Sequence, residues 1–285
     1  MGGGPGRVAA VLTAAGSGTR LGHSLPKALV PLCGEPLVAH AARRLLEART
    51  AAGERVTVLV VTAPGGAVDQ VRALLEPVAD GVVLRVVPGG PTRQASVAAG
   101  LDALAGLAGM GGHGAADGHG APGGRGGLAV PEVVLVHDAA RPLAPAELVA
   151  RVVEAVRAGH GAVVPGLAVA DTIKRVGPAR PGTGPVVQPV EETVPRTDLR
   201  AVQTPQGFGW ELLRRAHREG AHAAHDETVA ASDDAGLVER LGEPVWVVAG
   251  DERAEKITTA RDLVLAEVLA GAPSGDPLRA EGVAR

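Results

Sequence analysis

The chain has 285 residues, 46% of them hydrophobic, so one large or two modest domains with a full core are within its reach. One Phe, two Trp and no Tyr leave Val, Leu and Ala to build that core, and they exclude the aromatic platforms on which single-stranded nucleic acid stacks. A formal net charge of −3 gives no global field toward nucleic acid or anionic membrane, and the single cysteine, Cys33, excludes an internal disulfide and a thiolate cluster.

Taken in order, residues 1–6 read as a disordered tail, without the apolar core of a signal peptide. Arg7–Thr13 reads as a strand buried on both faces. It empties into Ala14-Ala15-Gly16-Ser17-Gly18, and Arg20 and Lys27 follow. Cys33 reads as a small apolar filler. Pro36–Arg49 predicts a helix, Val56–Thr62 a second strand, Ala67–Leu75 a helix, and Val82–Val87 a third strand ending at Pro88-Gly89-Gly90. A helix follows from Arg93 to Leu104. Such strand–helix alternation in an aliphatic chain predicts an α/β fold with a mainly parallel sheet.

Residues 106–127 break the pattern with a glycine-rich, aperiodic run that we read as a disordered insertion, its His113 and His119 solvated. Pro131–Val136 resumes as a fourth strand and terminates in His137-Asp138-Ala139-Ala140-Arg141-Pro142. Pro145–Ala158 reads as a helix with Pro in its first turn, and Ala162–Pro165 as a short strand. Residues 171–200 hold five prolines and short β-like runs, which suggests a hairpin arm leaving the main layer. Trp210–Glu219 and Asp233–Arg240 read as helices and Val245–Val248 as a late strand. Ala260–Leu269 reads as a last helix capped by Thr259, and residues 272–285 as a frayed tail. The expected organisation is one domain over residues 7–271. No apolar stretch reaches the roughly 18 residues of a membrane span. With one cysteine, a cytoplasmic protein is expected.

In an open α/β sheet, ligands bind beyond the carboxyl ends of the strands. The Gly16–Gly18 loop, the Gly89–Ser96 segment and Asp138–Arg141 all map to such ends. Backbone N–H groups in a glycine-rich turn cradle phosphate oxygens, and Arg20 and Lys27 supply neutralising charge, so this is read as a nucleoside-triphosphate site. The loop is not a dinucleotide fingerprint, because Leu21 stands where its third glycine should be and strand two lacks a closing acid. It is not a P-loop either, for no Gly-Lys-Ser/Thr follows. Asp138 at a strand end suits Mg²⁺ held against triphosphate oxygens. The competing roles for Asp138 are a helix cap or an ion pair with Arg141. His137 is read as a packing or hydrogen-bonding residue.

Six segments occur in order: the glycine loop, Pro26-Lys27, Gly89-Gly90-x-x-Arg93-x-x-Ser96-Val97, His137-Asp138-Ala139-Ala140-Arg141-Pro142, Asp171-Thr172-Ile173-Lys174 and Gln203-Thr204-Pro205-Gln206. Together they resemble the 2-C-methyl-D-erythritol 4-phosphate cytidylyltransferases of the non-mevalonate isoprenoid pathway, over Val8 to Leu269. The resemblance implies a Rossmann-like nucleotidyltransferase fold and a homodimer joined by the protruding β-arm. The implied reaction transfers CMP from CTP to methylerythritol phosphate, with Mg²⁺, and releases pyrophosphate.

The resemblance also assigns roles. Ala14, Ala15, Gly16 and Gly18, with Arg20 and Lys27, would bind the triphosphate. Gly89, Gly90 and Ser96 would lie against cytosine and ribose, and Asp138 would take the metal. Thr172, together with Arg196 from the partner subunit, would hold the methylerythritol phosphate, with Arg141, Ser232 and Lys256 nearby. Ser232 stands where threonine is commoner in the family, and it keeps the hydroxyl. Catalysis would rest on Arg20, Lys27 and Lys256, because an acceptor phosphate is already ionised at neutral pH and needs no strong base. Three other readings compete: a cytidylyltransferase for another polyol phosphate such as ribitol 5-phosphate, a non-catalytic nucleotide sensor, and a nicotinamide-dependent reductase.

Overall fold

A computed structural model describes residues 7–16, 18, 25–109, 128–180, 186–226 and 228–271. Arg20, both tails and residues 110–127 of the glycine-rich run therefore lie outside the described residues.

The apolar run at the start forms β1 (Val8–Thr13), and a small hairpin of β2 (Pro31–Leu32) and β3 (Glu35–Pro36) leads into α1 (Leu37–Glu47). Then β4 (Val56–Ala63), α2 (Val68–Leu75), β5 (Val83–Pro88) and α3 (Arg93–Leu107) alternate as the sequence pattern requires. Next come β6 (Val133–Asp138), α4 (Ala146–Arg157) and β7 (Ala162–Ala168). The arm is β8 (Ile173–Val176) with β9 (Val190–Val194). The chain returns through β10 (Arg200–Val202) and β11 (Gln206–Gly209), then α5 (Trp210–Glu219), α6 (Asp234–Arg240), β12 (Trp246–Ala249) and α7 (Ala260–Gly271).

The main sheet runs β5-β4-β1-β6-β11-β7, with β10 and β12 both on β7. The pairs β5–β4, β4–β1 and β1–β6 are parallel, whereas β11 is antiparallel to both β6 and β7. β1 is therefore the switch point: the chain winds outward to β4 and β5 on one side and to β6 on the other. A doubly wound sheet opens its ligand crevice at that point.

Alternation along β1 builds the two halves of the core. Val8, Ala10 and Leu12 face one side with Val38, Ala42 and Leu45 of α1, Val71 and Leu75 of α2, and Val152 of α4. Ala9 and Val11 face the other with Val97 and Leu101 of α3, Leu213 of α5 and Leu237 of α6. The core is aliphatic except on this second side, where Phe208 and Trp210 are also buried, so close approach largely replaces aromatic bulk. A Cβ on Gly100 in α3 would sit 2.5 Å from Val11 Cγ1, so this glycine lets α3 lie directly on β1.

Several readings need correction. α3 runs to Leu107, so the start of the supposed insertion is helical. Pro145 is the N-cap of α4 rather than its first helical residue. β10 and β11 lie where the sequence showed only a proline-broken return, because their partners across the sheet, not their own short runs, make them strands. Cys33 is not a core filler. It is exposed at the β2–β3 turn with a φ of 50°, flanked by Gly34 at a φ of 85°. Thr259 caps α7 as expected, its Oγ1 accepting from Asp262 N at 3.3 Å.

Candidate active site

Thr13 ends β1 and Asp138 ends β6, and the two are register partners. This adjacency brings the glycine loop after β1 against the acid after β6. Behind them, Ala14 N donates to Thr62 O at 2.8 Å and Gly89 N to Ala63 O at 2.8 Å, so β4 ties in the third loop. Together these strand ends surround a cavity of about 520 Å³, a volume usual for small-molecule sites.

The glycine loop closes by Lys27 N donating to Gly16 O at 3.3 Å. Gly18 has a φ of +70°, and a Cβ there would sit 2.7 Å from Lys27 Cβ. Any side chain at this position would push Lys27 out of place. Lys27 then opens a short 3₁₀ turn whose Ala28 and Leu29 are buried, so the charge is carried on a packed support. Gly89 packs beneath Ala15 and Ser96, where a Cβ would meet Ala15 Cβ at 2.4 Å. Ser96 holds the same turn together: it accepts from Gly90 N at 3.1 Å and donates to Thr92 O at 2.9 Å. The turn delivers the N-terminus of α3 to the cavity, with Thr92 as N-cap accepting from Ala95 N at 3.0 Å. A helix N-terminus favours anions.

Asp138 is the hub. Arg93 Nε donates to its Oδ1 at 3.0 Å and Lys256 Nζ to its Oδ2 at 2.7 Å, while Thr13 Oγ1 donates to Oδ1 at 3.3 Å. Burial opposes the charge, but Arg93 and Lys256 overcome it and hold the carboxyl well below its ordinary pKa. The ion pair with Arg141 that the sequence allowed does not form through the side chain: Arg141 donates from Nη1 to Ala254 O at 2.6 Å and from Nη2 to Val202 O at 3.3 Å. His137 points the other way and is fully buried. Burial lowers its pKa to about 4, so the ring is neutral at pH 7. It pairs with Thr204 Oγ1 at 2.9 Å, and that hydroxyl in turn accepts from Asp138 N at 3.1 Å. A neutral histidine thus fixes the backbone that carries the acid.

The structure brings Ala14, Ala15, Gly16, Gly18, Lys27, Gly90, Ser96, Asp138 and Lys256 to one wall. Gly89 supports that wall from behind. Ser232 is exposed just before α6 and outside the cavity lining, as are Thr172 and Arg196. Those last two flank the Ile173↔Val194 pair and so sit together at the root of the arm. Arg93, Thr13 and Thr258 also line the cavity and were not singled out as site residues from sequence. Arg93 did stand inside one of the six segments. What hid its role was the absence of any local cue to its two carboxylate partners, which lie on other elements.

A doubly wound sheet with a glycine loop, a helix N-terminus, two cations paired to one carboxylate and a third cation, Lys27, in the same cavity lining defines a phosphate-handling α/β protein of the nucleotidyltransferase type. Comparison with known proteins agrees and narrows the class. The family model described as 2-C-methyl-D-erythritol 4-phosphate cytidylyltransferase matches residues 8–111 and 126–271, and the chain belongs to this family. It is similar to the enzyme of that name from Streptomyces avermitilis, 45% identical over 267 residues and covering 92% of this chain and 91% of the relative. The one from Nocardia farcinica is 46% identical over 264 residues, covering 93% and 94%. Among solved structures, the same enzyme from Thermus thermophilus aligns with a TM-score of 0.64 at 35% identity, over 93% of this chain and 100% of that one. Membership makes the activity a CTP-dependent cytidylyl transfer to methylerythritol phosphate.

Proposed function

We propose that the cavity at the ends of β1 and β6 is where this transfer takes place, with CTP on the glycine loop and the acceptor phosphate approaching from the side of Lys256. The observation that carries the reading is the register partnership of Thr13 with Asp138, which places Lys27, Arg93 and Lys256 around one space. Those cations suit a polyanion such as a triphosphate, whereas a reductase's cofactor site would need the missing third glycine and strand-two acid.

Mg²⁺ fits the donor set. Asp138 offers about four lone-pair sites, of which Thr13, Arg93 and Lys256 use three. Lys256 is 41% exposed, so it is free to turn from the carboxylate toward an incoming phosphate. Among the described residues no cluster of three or more ligating side chains occurs. An ion bound here would rest on one carboxylate and triphosphate oxygens rather than on a protein cage. When bound, Mg²⁺ would neutralise triphosphate charge.

The chain's own residues do the rest. Backbone N–H groups of Ala15, Gly16 and Gly18 orient the triphosphate, and Lys27 offsets its charge. An acceptor phosphate oxygen attacks the α-phosphorus in line, pyrophosphate departs, and no proton transfer is required. Lys256 balances charge on the entering oxygen as it leaves Asp138. The work is positioning and electrostatics. Thr172 and Arg196 at the root of the arm would bind the acceptor across a homodimer. The arm supports that assembly: Val186 and Val187 are 72% and 57% exposed, and a second copy would cover them.

Pyrophosphate release with CTP, Mg²⁺ and methylerythritol phosphate tests the reading, with ribitol 5-phosphate and the other nucleotides alongside. Turnover confined to CTP and methylerythritol phosphate is expected. Faster turnover with ribitol 5-phosphate would overturn the acceptor assignment.

A further inference from the structure

A buried charge network runs back from the cavity to two residues that the transfer does not itself use, Asp234 and His217. Arg93 is held between two carboxylates: Nε donates to Asp138 Oδ1 at 3.0 Å, and Nη1 donates to Asp234 Oδ2 at 2.7 Å. Asp234 does not line the cavity, and its side chain is 1% exposed. Its other oxygen pairs with His217 Nε2 at 2.9 Å. Gln206 Oε1 accepts from the backbone N–H groups of Asp234 and Ala235, both at 3.2 Å, so Asp234 is fixed at main chain and side chain alike. Burial opposes the Asp234 charge, but Arg93 and His217 overcome it and lower its pKa.

A guanidinium beside a lone carboxylate ordinarily engages it with two parallel N–H donors. Here Arg93 meets Asp138 through Nε alone: Asp234 holds Nη1 and so sets the tilt of the guanidinium, leaving Nη2, the donor on the same edge as Nε, off Asp138. Nη2 is buried with no hydrogen-bond partner among the described residues. That unsatisfied donor is the cost of the arrangement, and a two-point grip on Asp138 would remove it.

We infer that Asp234, braced by His217, is a positioning residue that restrains Arg93 to a single-point contact with Asp138 and so keeps Asp138 Oδ2 available to Lys256 and the cavity. Asp234 sits at the start of α6, His217 in α5, Arg93 at the start of α3 and Asp138 at the end of β6. Four elements thus set the orientation of one carboxylate. The inference rests on the cavity's being the active site.

The test is Asp234→Asn in the full-length protein, which keeps shape and removes the charge that holds Nη1. Released, Arg93 rotates to grip both oxygens of Asp138. We expect kcat per folded enzyme to fall about tenfold or more and half-saturating Mg²⁺ to rise by a similar factor. The calorimetric Kd for CTP without metal should stay within about threefold. Adding Arg93→Lys, which cannot form the two-point grip, should restore part of the loss. If Asp234→Asn does not fold, His217→Ala gives a weaker effect of the same sign, and His217→Gln, which keeps a side-chain N–H donor, restores it. Loss of thermal stability alone, with kcat and Mg²⁺ dependence unchanged, would overturn the inference and leave the site reading intact. Absence of pyrophosphate release by the wild-type enzyme would instead remove the site reading itself.

Discussion

The cavity and the arm are built on opposite principles. The cavity is set in the middle of the sheet, and its groups are held by partners from distant parts of the chain: Asp138 by Arg93 and Lys256, Thr204 by His137. The arm is a two-stranded ribbon, exposed along β8 and nearly so along β9, and held by the Arg175–Glu192 pair at 3.1 Å and the Lys174–Thr193 hydrogen bond at 2.6 Å. A lone two-stranded hairpin is marginal in water. The first region keeps its geometry by itself, and the second needs something to lie against. Chemistry that depends on placement belongs in the former, and contact with a second copy in the latter.

Changes in the cavity should therefore strike turnover, and changes in the arm should strike binding and assembly. Lys27→Ala is expected to lower kcat by ~10²–10³ with a modest change in KM, since a preorganised charge at the reacting phosphates is lost; steady-state kinetics would read it. The neutral His137 makes a second cavity prediction, on stability. Its pKa falls from 6.5 to about 4 on folding, so between those values the unfolded chain binds more protons than the native one. Its contribution is whole above pH 6.5 and is lost as pH falls toward 4, by ~3 kcal/mol in all. Denaturant unfolding of the ligand-free protein across that window should show this slope, and His137→Gln should lack it.

The arm variants come next in size. Arg196→Ala should raise KM for methylerythritol phosphate by roughly 10- to 100-fold, the loss of one charged hydrogen bond, with KM for CTP little changed. A rise for CTP alone would detach Arg196 from the acceptor. Val187→Asp should weaken self-association by about tenfold or more, because a charge must then be buried where an aliphatic side chain lay. Sedimentation would measure it, and CTP affinity should not move. Equal loss of CTP binding would erase the contrast between the two regions.

The same contrast explains what the sequence disclosed. β1, β4 and β6 are long aliphatic runs, so their strand character and the loops at their ends are local properties, legible from periodicity and glycine placement. The cluster of Lys27, Asp138 and the Gly89–Ser96 turn followed from the rule that parallel strands deliver their ends to one side. β10 and β11 were not legible, since runs of three and four residues become strands only through β6 and β7. Arg93 was hidden for a related reason: its partners Asp138 and Asp234 are 45 and 141 positions away. Cys33 misled because a small thiol is usually a buried one, while the tight β2–β3 turn exposes it.

The most direct measure of the central claim is the single-turnover rate of pyrophosphate release by Lys256→Ala with saturating CTP, Mg²⁺ and methylerythritol phosphate. Lys256 meets the cavity only through the convergence of the β6 end with a segment far along the chain, so its rate reports whether that convergence matters. A fall of ~10²–10³ is predicted. A rate close to wild type would contradict the account.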